Sequence, residues 1–463
     1  MPYATTNPYT GKVEKEFPTA TDDEVRAAIG SADAAFRSWK LAPVGERVQV
    51  LHNAANILRE RHTEYARILT LEMGKLIGEA EAEVELCAKI LEYYVKNAEA
   101  QLAPRSLPVE GFARDAVQLV YEPLGVLYIV EPWNFPYYQI VRVAAPQLAA
   151  GNTIILKHAS IVPQAAAAFE ALFKEAGLPD GAFINLYAAH GHNELILSDP
   201  RVKGVALTGS EVAGTAVAQA AARYLKKSTL ELGGADAFIV LDDADVDKAV
   251  KWAVFGRHWN GGQVCVSSKR IIVADSVYDE FLDKYRAGVA ALKAGDPLDP
   301  GTTLAPLSSK GAQADLAAQV AEAVANGAHA ETAGELVPAQ GNFYQPTILT
   351  GITPANPAYR TEFFGPVSQV YRVADEAAAV KLANDSPYGL GGSVFTRDVK
   401  RGRRVAAQLE TGMVYLNHPT GVKADIPFGG VKLSGYGHEL IDLGIREFVN
   451  IKPIVDTPID DGF

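Results

Sequence analysis

The pattern of apolar and polar positions divides the chain into a helical first part and a longer part in which strands and helices alternate. Over residues 22–104 apolar residues recur every three to four positions, as in "DDEVRAAIGSADAAFRSWK", which predicts amphipathic helices. Residues 115–130 alternate between apolar and polar, turn at Glu122-Pro123 and alternate again. This stretch predicts a β-hairpin or a pair of edge strands.

From residue 125 onwards, short apolar runs are separated in most places by alanine-rich helical stretches. The runs are "GVLYIVEP" (125–132), "NTIILKHA" (152–159), "AFINLYAA" (182–189), "GVALTG" (204–209) and "STLELGG" (228–234). Strands that alternate with helices at this spacing predict a parallel, doubly wound α/β sheet, on which ligands bind at the carboxyl ends of the strands. A second α/β region follows, and the chain ends in a strand-like run that could pair outside its own domain.

Composition and charge narrow the class of protein without changing this fold prediction. The 463 residues are 48% hydrophobic and 21% charged, and the formal net charge is −12. Nucleic acids and anionic membranes bind basic surfaces, so neither is expected as a partner. No window of 18 apolar residues predicts a membrane span, and no secretory signal is visible, so a cytoplasmic location is expected.

The chain contains two cysteines, Cys87 and Cys265, which are too few for a disulfide framework. The residues around them have no metal-site spacing, and no metal is expected. Cys87 lies among apolar residues of a predicted helix, which is typical of a buried small side chain. Cys265 lies in "WNGGQVCVSSKR" (259–270), a glycine-rich bend that can expose a sulfur atom.

Chemically useful side chains follow the ends of the predicted strands. Asn134 lies in the turn after the first strand, and Lys157 and Ser160 follow the second. The "TGSEVAG" stretch after the fourth strand can bind a phosphate oxygen at a helix N-terminus, although it is also typical of plain helix capping. Glu231 in the fifth strand is flanked by leucines, so its carboxyl is expected to be ion-paired, to face a cavity or to have a raised pKa.

These residues favour a cysteine nucleophile at position 265. Such a nucleophile needs an exposed loop, an acid/base group and hydrogen-bond donors for a developing oxyanion. The bend supplies the loop, Glu231 can supply the base, and Asn134 can supply a side-chain amide. No histidine occurs in a protease-like cysteine context, which disfavours a Cys-His hydrolase.

The sequence resembles the NAD(P)-dependent aldehyde dehydrogenase superfamily over essentially its whole length. The motifs that carry the resemblance are "PWNFP" (132–136), "LTGS" (207–210), "LELGG" (230–234), "GQVC" (262–265), "EFFGP" (362–366) and "PFGGVKLSGYG" (427–437). Within the superfamily the chain is most similar to bacterial succinate-semialdehyde dehydrogenases, which carry "LKHA" after the second strand. The resemblance implies an α/β fold with a Rossmann-type cofactor domain, an α/β catalytic domain and a small β oligomerisation arm.

The resemblance also implies a role for each catalytic residue. Cys265 would attack the aldehyde carbon and form a thiohemiacetal, whose oxyanion is held by the Asn134 amide and the Cys265 backbone N–H. Hydride would pass to the nicotinamide, and water activated by Glu231 would hydrolyse the remaining thioester. The product would be a carboxylic acid.

The implied cofactor is NAD or NADP. Glu362 would hydrogen-bond the nicotinamide ribose, Phe364 would pack beside the cofactor, and Lys157 would contact the adenosine ribose. The other residues assigned to the cofactor are Trp133, Gly209, Ser210 and Ser160. NAD-preferring relatives often have a glutamate at the position of Ser160, and a hydroxyl can donate to a 2′-phosphate that a carboxylate would repel. NADP is therefore expected to be accepted or preferred, while a plain solvated lysine remains the alternative for Lys157.

Arg142 carries the substrate prediction, because it matches an arginine that grips the distal carboxylate in succinate-semialdehyde enzymes. A structural salt bridge is the alternative. Trp259 stands where some relatives have a second arginine, so Tyr137, Tyr138 and Trp259 could instead line an apolar tunnel for aliphatic or aromatic aldehydes. The two readings are oxidation of succinate semialdehyde to succinate and broad-range oxidation of medium-chain or aromatic aldehydes.

Two functions from other classes compete with a dehydrogenase. A thiol esterase would leave the predicted cofactor residues without a purpose, and a non-catalytic binding protein would have no need for Cys265, Glu231 and Asn134 together. The resemblance implies a homodimer or homotetramer. It also implies a cofactor domain over residues 1–111 and 128–232, a catalytic domain over 233–433, and an arm formed by 112–127 and 434–463.

Overall fold

The computed structural model of the protein describes residues 2–457 and 459. Its α-helices are α1 (Asp22–Trp39), α2 (Val44–Glu60), α3 (His62–Met73), α4 (Ile77–Leu102), α5 (Pro136–Ala150), α6 (Pro163–Glu175), α7 (His192–Ser198), α8 (Glu211–Arg223), α9 (Val246–His258), α10 (Asp275–Ala290), α11 (Lys310–Ala325), α12 (Glu376–Asn384), α13 (Val399–Ala406) and α14 (Ile441–Arg446). Short 3₁₀ turns occupy Trp259–Gly262 and Pro357–Arg360.

The strands form five sheets within the described residues. They are β1 (Tyr3–Thr6), β2 (Val13–Phe17), β3 (Arg105–Ser106), β4 (Val117–Pro123), β5 (Val126–Glu131), β6 (Thr153–His158), β7 (Phe183–Asn185), β8 (Val202–Thr208), β9 (Lys227–Glu231), β10 (Ala237–Val240), β11 (Arg270–Ala274), β12 (His329–Thr332), β13 (Thr347–Thr350), β14 (Val367–Val373), β15 (Tyr388–Gly389), β16 (Gly392–Phe395), β17 (Tyr415–Leu416), β18 (Val431–Lys432), β19 (Gly435–Tyr436) and β20 (Val449–Val455).

Residues 22–102 fold into helices α1 to α4, in the part of the chain where the periodicity predicted helices. A capping box starts α1, because Thr21 accepts a hydrogen bond from the backbone of Glu24 while the Glu24 carboxylate accepts one from the backbone of Thr21. Gly74 ends α3 in the left-handed conformation. Helices α2 and α4 pack against α5, and Cys87 is fully buried in α4, as its apolar neighbours predicted.

The predicted doubly wound sheet is confirmed. Strands β5 to β9 are parallel, and the sheet has the order β19-β9-β8-β5-β6-β7, with β19 antiparallel at one edge. The chain runs outwards from β5 to β7 and then returns to the other side of β5 with β8. The carboxyl ends of β5 and β8 therefore flank the point where the strand order reverses, which is where such sheets bind ligands.

The second α/β region forms a sheet of the order β12-β13-β14-β11-β10-β16-β17, parallel except at β12. Its central strands β10 and β11 are completely or almost completely buried. The bend that carries Cys265 connects α9 to β11, so this sheet holds the bend from one side.

The β-hairpin or pair of edge strands expected over residues 115–130 is wrong, because β4 and β5 lie in different sheets and neither is an edge strand. Strand β4 pairs with β3 and β20 in a separate antiparallel sheet, whereas β5 is an inner strand of the parallel sheet. Gly125, with φ of 144°, lies in the link between the two sheets. The alternating pattern correctly predicted both strands. However, β4 pairs with the C-terminal β20 and not with β5, its neighbour in sequence, and the β4–β20 register runs from Val117↔Val455 to Pro123↔Val449.

The predicted division into domains remains a proposal. The strands and helices of the structure differ from it at two boundaries of the predicted arm. Strand β5 begins at Val126, inside the segment assigned to the arm. In the C-terminal segment, β19 joins the first sheet and α14 packs on α4 and α5, so only β20 lies in the small antiparallel sheet. Residues 458 and 460–463 of the predicted arm lie outside the described residues.

Within residues 2–457 and 459, none of the helices has both the length and the apolar character that crossing a bilayer requires. The same residues contain no group of three or more His, Cys, Asp and Glu side chains arranged to hold a metal ion.

Candidate active site

The carboxyl ends of three neighbouring strands place polar side chains in register. Thr208 of β8 pairs with Glu231 of β9, and Glu131 follows the Val130–Leu207 pair at the end of β5. Beyond β5 the chain turns through Trp133 and Asn134 before proline opens α5 at Pro136. The sheet therefore carries Asn134 and Glu231 to one edge, as the sequence predicted.

The glycine-rich bend brings Cys265 to this edge. Asn260, Gly261 and Gly262 have φ values of 53°, 64° and 77°, a left-handed run that favours glycine and tolerates asparagine. A Cβ atom on Gly262 would lie 2.4 Å from the carbonyl oxygen of Gly365, so only glycine permits this approach. The bend thereby packs directly against the segment that contains Glu362 and Phe364.

Hydrogen bonds fix the bend to the turn that carries Asn134. The Asn134 Nδ2 atom donates to the carbonyl oxygen of Gln263 at 3.0 Å, and the Asn260 Nδ2 atom donates to the carbonyl oxygen of Asn134 at 2.9 Å. The second Nδ2 hydrogen of Asn134 and the backbone N–H of Cys265 donate to none of the described residues. Two donors near the sulfur are thus available to an oxygen atom of a ligand.

A cavity of about 280 Å³ unites most of the residues predicted from the sequence. Its lining residues are Pro132, Trp133, Asn134, Gln139, Thr208, Gly209, Ser210, Leu232, Gly233, Cys265, Glu362 and Phe364. Glu231 directly precedes Leu232 and Gly233. Lys157, Ser160, Arg142, Tyr138 and Trp259 are not among the lining residues.

The cavity wall fits a dinucleotide. Ser210 caps the N-terminus of α8, where backbone N–H groups and the helix dipole favour a phosphate. The Glu362 Oε1 atom accepts a hydrogen bond from the backbone of Gly234 at 3.1 Å, and a Cβ on Gly233 would lie 2.6 Å from Glu362 Oε2. Trp133 and Phe364 meet edge to face with ring centroids 5.8 Å apart.

Lys157 lies at the end of β6 with 5% of its surface exposed, and it forms no ion pair with any residue of the described chain. Burial lowers the pKa of its ammonium group. Its positive charge is the largest cause of the lowered pKa of His190. The Ser160 hydroxyl, three residues further on, is half-buried and donates to no described residue. An unpaired buried cation, followed three residues later by a hydroxyl without a partner, fits an anionic group such as a phosphate.

Glu231 is 2% exposed, and neither carboxylate oxygen has a hydrogen-bond partner among the residues described. Burial raises the pKa of this carboxyl to about 8, and the positive charge of Arg142 opposes the rise. The carboxyl can therefore exchange a proton near neutral pH, as a general base requires.

Cys265 is half-buried, in contrast to Cys87. Burial raises the pKa of its thiol to about 11, while the positive charges of Lys269 and Arg142 oppose the rise. Neutralising nearby carboxylates or strengthening these positive charges would increase the thiolate fraction.

Arg142 lies on α5 as predicted but is only 1% exposed. Its guanidinium forms an ion pair with Glu439, lies over the rings of Tyr138 and Phe428, and donates to the Thr208 hydroxyl at 3.0 Å. Of the two alternatives that the sequence left open, the structure contains the salt bridge. A contact with substrate stays a prediction.

The aromatic residues proposed for an apolar tunnel have different environments. Tyr138 is buried between Phe135 and Phe428, and Trp259 is half-buried against Phe135 and Phe255. The assignment of Tyr137 was wrong, because its ring is fully buried against Tyr65 and Phe169, in the core that α3 and α6 share.

Sequence reasoning missed three residues of this site. Asn260 had a signal, since Asn-Gly-Gly favours positive φ values. Glu131 was visible as a carboxylate at the end of an apolar strand; it is fully buried, and burial raises its pKa. Lys269 had none, because "SSKR" is equally typical of a solvated surface.

A half-buried thiol, an amide donor and a buried carboxyl lie in or next to a cavity whose wall fits a dinucleotide, which is the set of groups expected of a nucleotide-dependent oxidoreductase. Residues 1–454 match the aldehyde dehydrogenase family. The chain belongs to this family.

Two curated relatives and one solved structure illustrate the similarity. The chain is 50% identical over 457 residues to the succinate-semialdehyde dehydrogenase [NADP(+)] of Deinococcus radiodurans, covering 99% of this chain and 95% of the relative. It is 45% identical over 454 residues to succinate-semialdehyde dehydrogenase [NADP(+)] 1 of Mycobacterium tuberculosis, covering 98% and 99%. The crystal structure of succinic semialdehyde dehydrogenase from Streptococcus pyogenes in complex with NADP+ superposes with a TM-score of 0.96 at 45% identity, covering 98% and 100%.

Proposed function

We propose that this protein oxidises succinate semialdehyde to succinate with NADP as the electron acceptor. The observation that carries the proposal is the single cavity in which Cys265 and Asn134 adjoin Ser210, Glu362 and Phe364. The names of the relatives at 45–50% identity support the choice of substrate and cofactor.

In the first step the Cys265 thiol loses its proton to solvent and the resulting thiolate attacks the aldehyde carbon. A C–S bond forms, and the π bond of the carbonyl breaks to leave a negative charge on the aldehyde oxygen. The free Nδ2 hydrogen of Asn134 and the backbone N–H of Cys265 stabilise this oxyanion. One such donor contributes about 3–4 kcal/mol in transition states of this kind. The hydrogen bond from Asn134 to Gln263 keeps the amide oriented before substrate arrives.

NADP, when bound, would supply the hydride acceptor for oxidation of the thiohemiacetal to the thioester. Ser210 and the first turn of α8 would hold the pyrophosphate, and Glu362 and Phe364 would hold the nicotinamide ribose and ring. Lys157 and the Ser160 hydroxyl would bind the 2′-phosphate, which would favour NADP over NAD. Glu231 then removes a proton from the water that attacks the thioester, the C–S bond breaks, and the departing Cys265 sulfur takes up that proton and leaves as the thiol.

The rate of thioester hydrolysis is expected to rise with pH and level off above about pH 8. Glu231 must be unprotonated to accept a proton from water, and burial raises the pKa of its carboxyl to about 8. Below that pH the rate constant should fall about tenfold per unit, because one protonation inactivates the base. Rapid-quench measurement of succinate release from preformed acyl-enzyme between pH 6 and 10 checks this. A profile that is flat from pH 6 to 8 would contradict the role of Glu231.

Arg142 is proposed to attract the distal carboxylate of the substrate. Its charge acts at the reaction centre, since it lowers the pKa of the Cys265 thiol and opposes the raised pKa of Glu231. We expect wild type to use succinate semialdehyde with a higher kcat/KM than hexanal and to form NADPH faster than NADH. Arg142→Met should reduce kcat/KM for succinate semialdehyde about 10- to 100-fold more than for hexanal, because a hydrogen bond to a charged group contributes about 1.5–3 kcal/mol.

Glu439→Gln is the matched control, because it breaks the same buried ion pair and leaves the guanidinium in place. This variant should retain the preference for succinate semialdehyde. An equal loss for both aldehydes in Arg142→Met would assign Arg142 to the salt bridge alone. A wild type that prefers hexanal would favour a broad-range aldehyde dehydrogenase.

The small sheet of β3, β4 and β20 is proposed as the contact of a homodimer or homotetramer. Strand β20 lies at its edge with unpaired backbone groups on one side. The side chains of Ile451, Ile454 and Val455 are 40–50% exposed there. An apolar edge strand of this kind favours addition of a strand from a second copy.

A further inference from the structure

Lys269 is a buried cation for which the proposed reaction has no assigned use. It lies four residues after Cys265, directly before β11, and is 1% exposed. Burying an ammonium group is costly unless every hydrogen is bonded to an acceptor. Its partners therefore show what the position requires.

The Lys269 ammonium has three hydrogen-bond or ion-pair partners among the described residues, and they include Cys265 and Glu362 of the cavity lining. Nζ donates to the carbonyl oxygens of Val264 at 2.6 Å and Cys265 at 2.7 Å, both in the nucleophile bend. It also forms an ion pair with the Glu362 Oε1 atom at 2.9 Å. An ammonium has three hydrogens, so these contacts satisfy it completely. One side chain thus holds the cysteine main chain and the cofactor carboxylate together.

We propose that Lys269 is a positioning residue for the nucleophile, which fixes the Cys265 main chain against Glu362 and supplies positive charge that favours the thiolate. The proposal rests on the proposed function only in taking Cys265 as the nucleophile. It does not depend on the identity of the aldehyde.

The charged groups around the Cys265 sulfur differ in the direction of their effect on the pKa of the thiol. Burial is the largest cause of the raised pKa of the thiol; Lys269 is the first of the groups that oppose it, followed by Arg142 on α5. Glu362 and Asp236 act in the opposite sense. The Tyr138 phenol also faces the sulfur, and burial keeps it protonated, with a pKa well above its usual value. Lys269 and Glu362 are therefore partners in an ion pair yet have opposite effects on the thiol.

This opposition provides the test. The rate of Cys265 alkylation by iodoacetamide is measured in the full-length, cofactor-free enzyme from pH 6 to 11, with peptide mass spectrometry to locate the label. Lys269→Met keeps the length of the side chain and removes its charge. It should raise the apparent pKa of the thiol by about one unit, which lowers the alkylation rate at pH 8 about tenfold. Glu362→Gln should shift the profile in the opposite direction and increase the rate at pH 8.

Shifts of the thiol pKa in opposite directions would distinguish an effect of charge from an effect of disturbed packing. A general loosening of the bend would move the pH profiles of Lys269→Met and Glu362→Gln in the same direction. Lys251→Met, at an exposed position on α9, is the matched control and should give the wild-type profile. If Lys269→Met is not recovered as folded protein, Glu362→Gln and Lys269→Arg, which keeps the charge, still decide the question.

Two results would overturn the proposal. One is a pH profile of alkylation for Lys269→Met that equals that of wild type. The other is a shift of the thiol pKa in the same direction in Lys269→Met and Glu362→Gln. Failure of the proposed function would be distinguishable, because the enzyme would then remain active after Cys265 was fully alkylated.

Discussion

Replacing Cys265 by alanine is expected to reduce kcat for aldehyde oxidation by at least about 10⁴-fold, the scale on which loss of a nucleophile acts in enzymes with covalent intermediates. No other thiol can substitute, because Cys87 is fully buried in α4. The variant should still bind NADPH with wild-type affinity, since Ser210, Lys157 and Glu362 are unchanged. Steady-state NADPH formation at 340 nm and fluorescence titration with NADPH measure the two quantities.

Cys87→Ala is the control for this prediction. It removes the other cysteine of the chain, which is not among the residues that line the cavity. Loss of one buried sulfur atom is expected to lower the free energy of unfolding by about 1–2 kcal/mol and to leave kcat unchanged. Residual activity of Cys265→Ala within about tenfold of wild type would exclude the covalent mechanism.

Glu231→Gln is expected to separate the two halves of the reaction. Thiohemiacetal formation and hydride transfer do not require a base that activates water, so a rapid burst of one NADPH per active site should remain. Hydrolysis of the thioester should slow about 10²- to 10⁴-fold, the usual contribution of a general base. Stopped-flow absorbance gives the burst, and intact-mass analysis should detect the accumulated acyl-enzyme, heavier by the succinyl group.

Glu99→Gln provides the comparison, because Glu99 is an exposed carboxylate near the end of α4. This variant should turn over without a burst larger than that of wild type. Loss of the burst in Glu231→Gln would place Glu231 in the first half of the reaction, for example as the base that removes the Cys265 proton. Unchanged steady-state turnover would assign the raised pKa of Glu231 to burial without a catalytic role.

The architecture of the cofactor sheet was predictable from the sequence because its central strands β5, β6 and β8 are almost entirely buried. The five parallel strands appear as separate apolar runs, and alanine-rich helical stretches lie between most of them. Residues at strand ends, such as Asn134 and Glu231, could be placed together for the same reason, since carboxyl ends of parallel strands share one edge. The expected hairpin failed because alternation identifies a strand and not its partner.

The sequence by itself determined the helices of the first hundred residues, the parallel sheet and the family, and it supplied Cys265 as the candidate nucleophile, because these depend on local periodicity and on short motifs. Only the tertiary structure decided three further points. It paired β4 with β20, gave Arg142 a partner in Glu439, and placed the Lys269 ammonium between Cys265 and Glu362. In each case one partner is distant along the chain, from 93 residues for Lys269 and Glu362 to 338 for Val117 and Val455. Contacts at such distances arise from the packing of whole sheets and helices, and no periodicity near either residue encodes them.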